Sequence, residues 1–380
     1  MNINAFFLKS FRLLLFPLSF LYGVVVYLRN FLFDKGIIKS TSFNLPIICV
    51  GNLTVGGTGK TPMVEYLINI LREQYKIATI SRGYRRRTSG YLLADENTTA
   101  LDIGDEPMQF YVKHPDIAVA VGEERIIAVP QILDDKPETK VIILDDALQH
   151  RAIKAGLNIL LTDYNNLFTR DFFLPTGDLR DRRASYKRAQ IIVVTKCPPK
   201  LSAEEKENIV AEIKPTNEQQ VFFTAIEYKT PYHIITGRKK VLLHNDEIML
   251  VCGIANPISI KEYLSEKAGL YHLHTYGDHH DFSINDIREI KNRYLKIKSS
   301  NKIIITTEKD AMRLLKYPKE LMYLPFYAIP IECKFLFDEA EKFNTLIRDF
   351  IINFNNKTNI EPKNETNDET DNKSKNEIEL

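Results

Sequence analysis

The chain reads as an α/β protein: a parallel sheet wrapped by helices, a second and smaller α/β domain, and an N-terminal membrane-associated helix. Three observations predict this. From residue 46 onward, short apolar runs alternate with amphipathic stretches. The glycine-rich segment Thr54-Val-Gly-Gly-Thr-Gly-Lys60-Thr61 links the apolar run Pro46–Val50 to a helix-like stretch. A stretch without charge occupies Leu13 to Leu28. Alternating strands and helices of this length bury a parallel sheet between two helical layers.

Bulk properties fit a soluble core. The 380 residues suggest two to three domains at roughly 150 residues each. Apolar residues make up 44% and charged residues 26%, as in ordinary globular proteins. A net charge of +2 gives no global attraction to nucleic acid, and no nucleic-acid-binding motif occurs. Cys49, Cys197, Cys252 and Cys333 are scattered without C-x-x-C spacing, which reads as free thiols in a reducing compartment rather than a zinc site.

The N-terminal region, residues 1–40, is built on the 16 residues from Leu13 to Leu28. As a helix they would measure about 24 Å, short of a hydrocarbon core of about 30 Å. Pro17 interrupts the stretch near its start. On a helical wheel Lys9, Arg12, Ser19, Tyr22, Arg29 and Asn30 share one half. A helix lying in the membrane interface fits this pattern better than a full span. A signal peptide and a buried helix of the fold are the competing readings.

The core, residues 41–225, contains candidate strands at Ile47–Val50, Ile77–Ser81, Ile117–Val121, Val141–Asp145, Ile159–Thr162, Ile191–Thr195 and Val221–Thr224. In Thr61–Gln74, the apolar Met63, Tyr66, Leu67, Ile70 and Leu71 recur at helical spacing. A linker is expected over 226–247, where Pro231 and the basic Gly237-Arg-Lys-Lys240 break the alternation. The second α/β unit, 248–352, has candidate strands at Met249–Cys252, Lys302–Thr306 and Tyr327–Ile331. From residue 353 a polar tail follows, too poor in apolar residues to fold and expected to be disordered.

Chemistry is carried first by the glycine-rich loop. Backbone N–H groups of Thr54, Val55, Gly56, Gly57, Thr58, Gly59, Lys60 and Thr61 would cradle a polyphosphate, which implies a nucleoside triphosphate as the cofactor class. Lys60 would neutralise its outer oxygens, and the Thr61 hydroxyl would ligate Mg²⁺. Thr54 stands where the usual pattern opens with Gly. The layout is that of a P-loop NTPase-type sheet, whose ligands sit at the carboxyl ends of the strands. Val141-Ile-Ile-Leu-Asp145-Asp146 is an apolar strand ending in two carboxylates, and either Asp145 or Asp146 is a candidate Mg²⁺ ligand. Gln149 and His150 follow at the same sheet edge.

Ser81-Arg-Gly-Tyr-Arg-Arg-Arg87 holds four guanidinium groups just after the second strand, an anion site by composition. Gly104-Asp-Glu-Pro107 reads as a helix start with acidic residues in its first turn. In Asp278-His279-His280-Asp281, either imidazole is suited to pair with a carboxylate in proton transfer. Thr195-Lys196 is reminiscent of a guanine-reading motif, but Pro198 replaces its aspartate. A membrane-associated GTPase or ATPase switch acting on a protein partner is therefore the alternative.

The motifs occur in a telling order: Gly51 to Pro62, Ser81 to Tyr84, Gly104 to Pro107, Asp145-Asp-Ala-Leu-Gln-His150, Leu174-Pro-Thr-Gly-Asp-Leu-Arg180, Gly253 to Pro257, Asp278-His279 and Thr307-Glu-Lys-Asp310. Together they resemble the tetraacyldisaccharide 4′-kinase family, the lipid A 4′-kinases of Gram-negative bacteria, over roughly residues 10–350. The resemblance implies transfer of the γ-phosphate of ATP to the 4′-hydroxyl of a tetraacyldisaccharide 1-phosphate, yielding lipid IVA. It implies that Asp105 takes the hydroxyl proton with His279 supporting it, and that Lys60 serves catalysis. It implies headgroup contacts from Ser81, Arg82, Tyr84, Gln149, His150 and Arg180. The partner is then a membrane lipid at the cytoplasmic face of the inner membrane, with no nucleic acid and no obligatory protein partner. Ala147 and Asp181 depart from the family's usual Gly and Glu.

Overall fold

The computed structural model describes residues 12–254, 256–268 and 270–360. Lys9 and the tail beyond residue 360 lie outside the described residues. Among the described residues fourteen strands are distributed between two sheets, and each strand expected from the sequence is present except Tyr327–Ile331, which is divided.

The first sheet has nine strands, in the order β14-β8-β7-β6-β1-β5-β2-β4-β3. They are β1 Ile47–Asn52, β2 Ile77–Ser81, β3 Leu92–Leu93, β4 Ala118–Val121, β5 Val141–Asp145, β6 Leu157–Asp163, β7 Ile191–Thr195, β8 Gln220–Tyr228 and β14 Ile331–Phe335. From β8 through β4 every neighbouring pair is parallel. β1, β2, β5 and β7 are buried at every position, because helices cover both faces. This is why they stand out in the sequence as continuous apolar runs. Two buried clusters form, one per face: one around Ile47, Ile80, Leu144 and Val194, the other around Val50, Ile143, Leu161 and Val193. Each such side chain contributes roughly 1.5–3 kcal/mol on burial.

Register sets the site. β1 lies between β5 and β6, with Val50 opposite Asp145, and β2 flanks β5 with Ile80 opposite Leu144. The carboxyl ends of β1, β5 and β2 are therefore side by side, and the glycine-rich loop, the aspartate pair and Ser81 share one edge.

The second sheet has the order β11-β10-β12-β13-β9, with β9 Tyr232–His233, β10 Glu247–Cys252, β11 Leu270–Thr275, β12 Lys302–Thr307 and β13 Phe326–Ile329. Three of its four pairings are parallel, and β9 closes one edge antiparallel to β13.

The boundaries differ from those expected. β9 falls inside the stretch read as a linker, where Tyr232 packs against the second core. The run read as one strand, Tyr327–Ile331, is two strands in different sheets. Pro330 separates them: without an N–H it cannot extend the β13 ladder, and the chain crosses there to pair β14 with β8. Helix Ala340–Ile360 then buries Phe343, Ile347 and Ile351 against the first sheet. The chain thus returns to the first unit before its end. The same helix runs eight residues into the segment expected to be tail, propagating from its docked face.

Candidate active site

The loop between β1 and helix Lys60–Leu71 is shaped by glycine. Gly56 (φ 104°) and Gly59 (φ 81°) adopt left-handed conformations that residues with a Cβ resist. Nothing lies within 4 Å of where a Cβ would stand on Gly56 or Gly57, so the loop opens onto free space. Val55 N–H donates to the Asp178 carbonyl at 2.8 Å, and the Thr195 hydroxyl donates to the Thr58 carbonyl at 2.9 Å. Lys60 Nζ lies 3.4 Å from Asn52 Oδ1 and 3.7 Å from Asp146 Oδ1. Thr61 is buried beneath the loop.

The two aspartates are held differently. Asp145 is buried, its Oδ2 accepts from the Ser81 hydroxyl at 3.3 Å, and its carbonyl accepts from Arg125 at 3.1 Å. Burial and the neighbouring charge of Asp146 push its carboxyl up to about 6. Asp146 (φ 52°) turns the other way and accepts a two-pronged grip from Arg180, one prong at 2.9 Å. Burial pushes Asp146 up, but Lys60 and Arg180 outweigh it and hold the carboxyl at about 2.

Several polar atoms around this edge are buried without a hydrogen-bond partner among the described residues: Asn52 Nδ2, Thr58 Oγ1, Asp145 Oδ1 and Gln149 Oε1. Orphaned buried polar atoms are costly, and their clustering here fits a bound ligand. A polyphosphate over the open glycines and a divalent cation at the free oxygen of Asp145 match the donors and acceptors present.

The residues expected to meet the acceptor do not form one uniform group. Arg180 spans Asp146 and the Asn52 side chain, and Ser81 is committed to Asp145. Gln149 Nε2 donates to the Asn52 carbonyl at 2.6 Å. His150 is kept neutral, because burial and the charges of Arg125 and Arg82 push it down to about 4. Arg82 and Tyr84 are exposed, and no hydrogen bond or ion pair engages the Arg82 guanidinium among the described residues. Of the other arginines, Arg86 is committed to Glu123, just after β4, and to the Gly90 carbonyl, both at 2.5 Å. Arg85 and Arg87 reach the second unit, at the Asp278 carbonyl and Asp281.

Asp105 opens helix Asp105–Lys113, behind Gly104 (φ 92°), where a Cβ would meet the Tyr84 carbonyl at 3.1 Å. Its Oδ2 lies 3.1 Å from His279 Nδ1. His279 (φ 58°) sits in a loop of the second unit, its N–H donating to the Gly253 carbonyl and its ring set edge-on to Tyr84 at 5.5 Å. His280 points elsewhere, bonding Asp286 at 3.0 Å and stacking on Tyr276. His279, not His280, is therefore the imidazole of the pair.

Sequence reasoning missed Arg313. From helix Glu308–Leu314 its Nε and Nη2 donate to the same Asp105 Oδ2 at 2.9 and 2.5 Å. Burial pushes Asp105 up, but the hydrogen bonds from His279 and Arg313 and the guanidinium charge outweigh it and hold the carboxyl below its usual range. Neighbouring contacts join the same two helices: Lys309 pairs with Glu106 at 2.5 Å, and Glu308 with Lys113 at 2.8 Å. The available signal was Thr307-Glu-Lys-Asp310, whose Thr307 caps this helix, but nothing local shows that its basic side chains cross to the other unit.

The N-terminal helix, Phe16–Asp34, is bound by its polar half. Arg12 pairs with Asp178 at 2.7 Å, Ser19 meets Thr176, Tyr22 donates to the Arg180 carbonyl, Arg29 to the Gln149 carbonyl, and Asn30 to Asp181 at 2.7 Å. Leu14, Phe16, Leu18, Phe20, Leu21, Val25 and Leu28 face outward. The polar half predicted from the wheel thus faces protein, and the apolar half is left bare. Asp181 anchors this arrangement, accepting also from Ser185 and Arg188 at 3.0 and 2.7 Å. Asp181→Ala should lower stability by about 2 kcal/mol, because it removes the buried anion that pairs with the half-buried Arg188 and accepts from Asn30. Denaturant melts should show the loss, accompanied by faster proteolysis within residues 12–34; an unchanged midpoint would reject this role.

Comparison with known proteins gives a consistent answer. The family described as tetraacyldisaccharide-1-P 4′-kinase matches residues 11–351. The tetraacyldisaccharide 4′-kinase of Flavobacterium johnsoniae is 46% identical over 355 residues, covering 92% of this chain and 99% of the relative. That of Bacteroides thetaiotaomicron is 43% identical over 353 residues, covering 89% and 92%. The crystal structure of the "apo" form of LpxK from Aquifex aeolicus in complex with ATP is similar at a TM-score of 0.71 and 27% identity, covering 90% of this chain and 99% of that one.

Proposed function

Because the chain belongs to the tetraacyldisaccharide 4′-kinase family, we infer that it transfers the γ-phosphate of ATP to the 4′-hydroxyl of a tetraacyldisaccharide 1-phosphate, a lipid A precursor, giving lipid IVA. One observation carries the reading beyond the likeness. A P-loop beside Asp145, whose Oδ1 has no partner among the described residues, shares a molecule with an ionised Asp105 whose Oδ1 is likewise unengaged among them.

The division of labour follows from charge and position. The Gly56–Thr61 amides and Lys60 bind and neutralise the triphosphate. Thr61 and Asp145 would hold Mg²⁺, which would supply neutralisation of the triphosphate's charge. Asp146, fixed between Lys60 and Arg180, keeps both cations in place. Asp105 takes the proton of the acceptor alcohol through its unengaged Oδ1, while His279 orients the carboxylate. Arg82 and Tyr84, with Gln149, His150 and Arg180 nearby, contact the sugar–phosphate headgroup, where a planar guanidinium suits phosphate oxygens. Ser81 acts one step back, by fixing Asp145.

The bare apolar half of the N-terminal helix rests on the cytoplasmic face of the inner membrane. It is 19 residues long with a mean hydropathy of 1.4. Its polar half is strapped to the protein, which favours lying at the interface over spanning it. The lipid substrate would thus be presented from the surface on which the helix rests.

The deciding experiment incubates the full chain with γ-labelled ATP and a tetraacyldisaccharide 1-phosphate in detergent micelles. Label should pass to the lipid, with little release to inorganic phosphate. Nucleotide hydrolysis that proceeds equally without lipid, leaving the lipid unlabelled, would instead support a GTPase- or ATPase-type switch.

A further inference from the structure

We propose that Arg313 is a positioning residue for the phosphoryl-transfer base: from the second unit it fixes Asp105 so that Oδ1 alone is left to meet the acceptor alcohol. This inference rests on the kinase reading above and adds to the Asp105–His279 pair a third member supplied by helix Glu308–Leu314.

The geometry is asymmetric. Three nitrogens converge on Oδ2 of Asp105: His279 Nδ1 at 3.1 Å, Arg313 Nε at 2.9 Å and Arg313 Nη2 at 2.5 Å. Among the described residues none bonds Oδ1. A carboxylate held through one oxygen by two nitrogens of a planar guanidinium has its rotation about the Cβ–Cγ bond restricted. The imidazole alone, a single contact, would leave that rotation freer.

Arg313 is itself braced. Its Nη1 donates to Asp310 Oδ1 at 2.7 Å and to the Gly253 carbonyl at 3.2 Å. Asp310 is held in turn by the Thr307 hydroxyl at 2.8 Å and the Gly253 N–H at 3.0 Å. Gly253 also accepts from the His279 N–H at 3.1 Å. One residue thus ties the imidazole loop and the guanidinium helix together, and both reach Asp105 as a single bracket. A positioning group needs this kind of rigidity from its own surroundings.

The arrangement has a cost in base strength and a gain in charge state. The charged or titratable groups facing Asp105 are His279 and Arg313, with Glu106, Lys309 and Asp310 around them. Arg313 favours the ionised carboxylate against its burial, so the base remains competent as pH falls. Without it, burial is opposed only by the imidazole, and protonation begins at higher pH. Loose phosphoryl transfer depends on placement of the alcohol more than on strength of the base.

The test compares Arg313→Met and Arg313→Lys with the unaltered full chain, using label transfer to the lipid across pH. In Arg313→Met the acid limb of kcat/KM should rise by about 1–3 pH units, the effect expected when a carboxylate loses an arginine partner. Its kcat should fall roughly 10- to 100-fold, with KM for ATP unchanged. Arg313→Lys keeps the charge but loses the two-nitrogen grip, so its limb should lie between the two. An unmoved acid limb in either folded variant would overturn the proposal, as would losses confined to thermal stability and ATP affinity. If Arg313→Met does not fold, Arg313→Lys decides alone. Failure of the unaltered chain to label lipid is a separate result that rejects the kinase reading. In that event the carboxyl titration of Asp105, followed by ¹³C NMR in Arg313→Lys, still tests the bracket: a midpoint equal to that of the unaltered chain overturns it.

Discussion

Lys60→Met should reduce label transfer to the lipid by about 10²–10³-fold, the loss typical of removing one preorganised electrostatic contact to a reacting group. The argument runs from the loop itself. Lys60 is the first residue of its helix, with its ammonium between Asn52 Oδ1 and Asp146 Oδ1 at the open side of the glycine turn. Charge shifts outward during transfer, so a fixed cation there stabilises the transition state more than bound ATP. The loss should therefore fall on kcat as well as on KM for ATP. A second consequence concerns Asp146. Lys60 helps hold that carboxyl at about 2, and its removal leaves Arg180 as the remaining close cation. Arg180 keeps the aspartate ionised, so the fold should survive and the melting midpoint should change little. Measuring kcat, KM for ATP and the melting midpoint on one preparation separates these effects. A loss smaller than tenfold would show that the loop amides suffice without the ammonium.

What the sequence disclosed, and what it withheld, divides along a physical line. The central parallel strands were legible because each is buried on both faces and appears as an unbroken apolar run, as in Val141–Asp145. The P-loop was legible because glycine conformations and Lys-Thr chemistry are local. β11 was missed because it is an edge strand in which His272 and His274 interrupt the apolar pattern. β14 was missed because Pro330 ends one strand and Ile331 begins another in the other sheet, a distinction set only by long-range pairing. The four arginines between residues 82 and 87 are equivalent on paper. In the fold one is committed to Glu123, two reach the second unit and one is left without a partner among the described residues. Arg313 belongs to the same category. Its importance lies in a contact 208 residues away in sequence, and no local pattern encodes that.

Asp105→Asn should lower kcat by about 10²–10⁴-fold, the range for removal of a general base, while ATP binding remains intact. The substitution keeps the size of the side chain and removes its ability to take a proton. Arg313 retains Asp310 at 2.7 Å, so the guanidinium is not left without an anion, and the helix containing Asp105 keeps Glu106 paired with Lys309. The folded state should therefore persist, and titration calorimetry with a non-hydrolysable ATP analogue should give an affinity within about threefold of the unaltered chain, or less than 1 kcal/mol. Adding His279→Ala to Asp105→Asn should cost little more than Asp105→Asn alone, because an imidazole that acts through the carboxylate has nothing to orient once the carboxylate is gone. If the two losses multiply instead, His279 makes its own contact with the reacting groups. A single Asp105→Asn variant that labels lipid at a near-normal rate would mean that the alcohol loses its proton elsewhere. Bulk water and the phosphate itself would then be the remaining acceptors, and the cross-unit bracket would be a structural latch rather than part of the reaction.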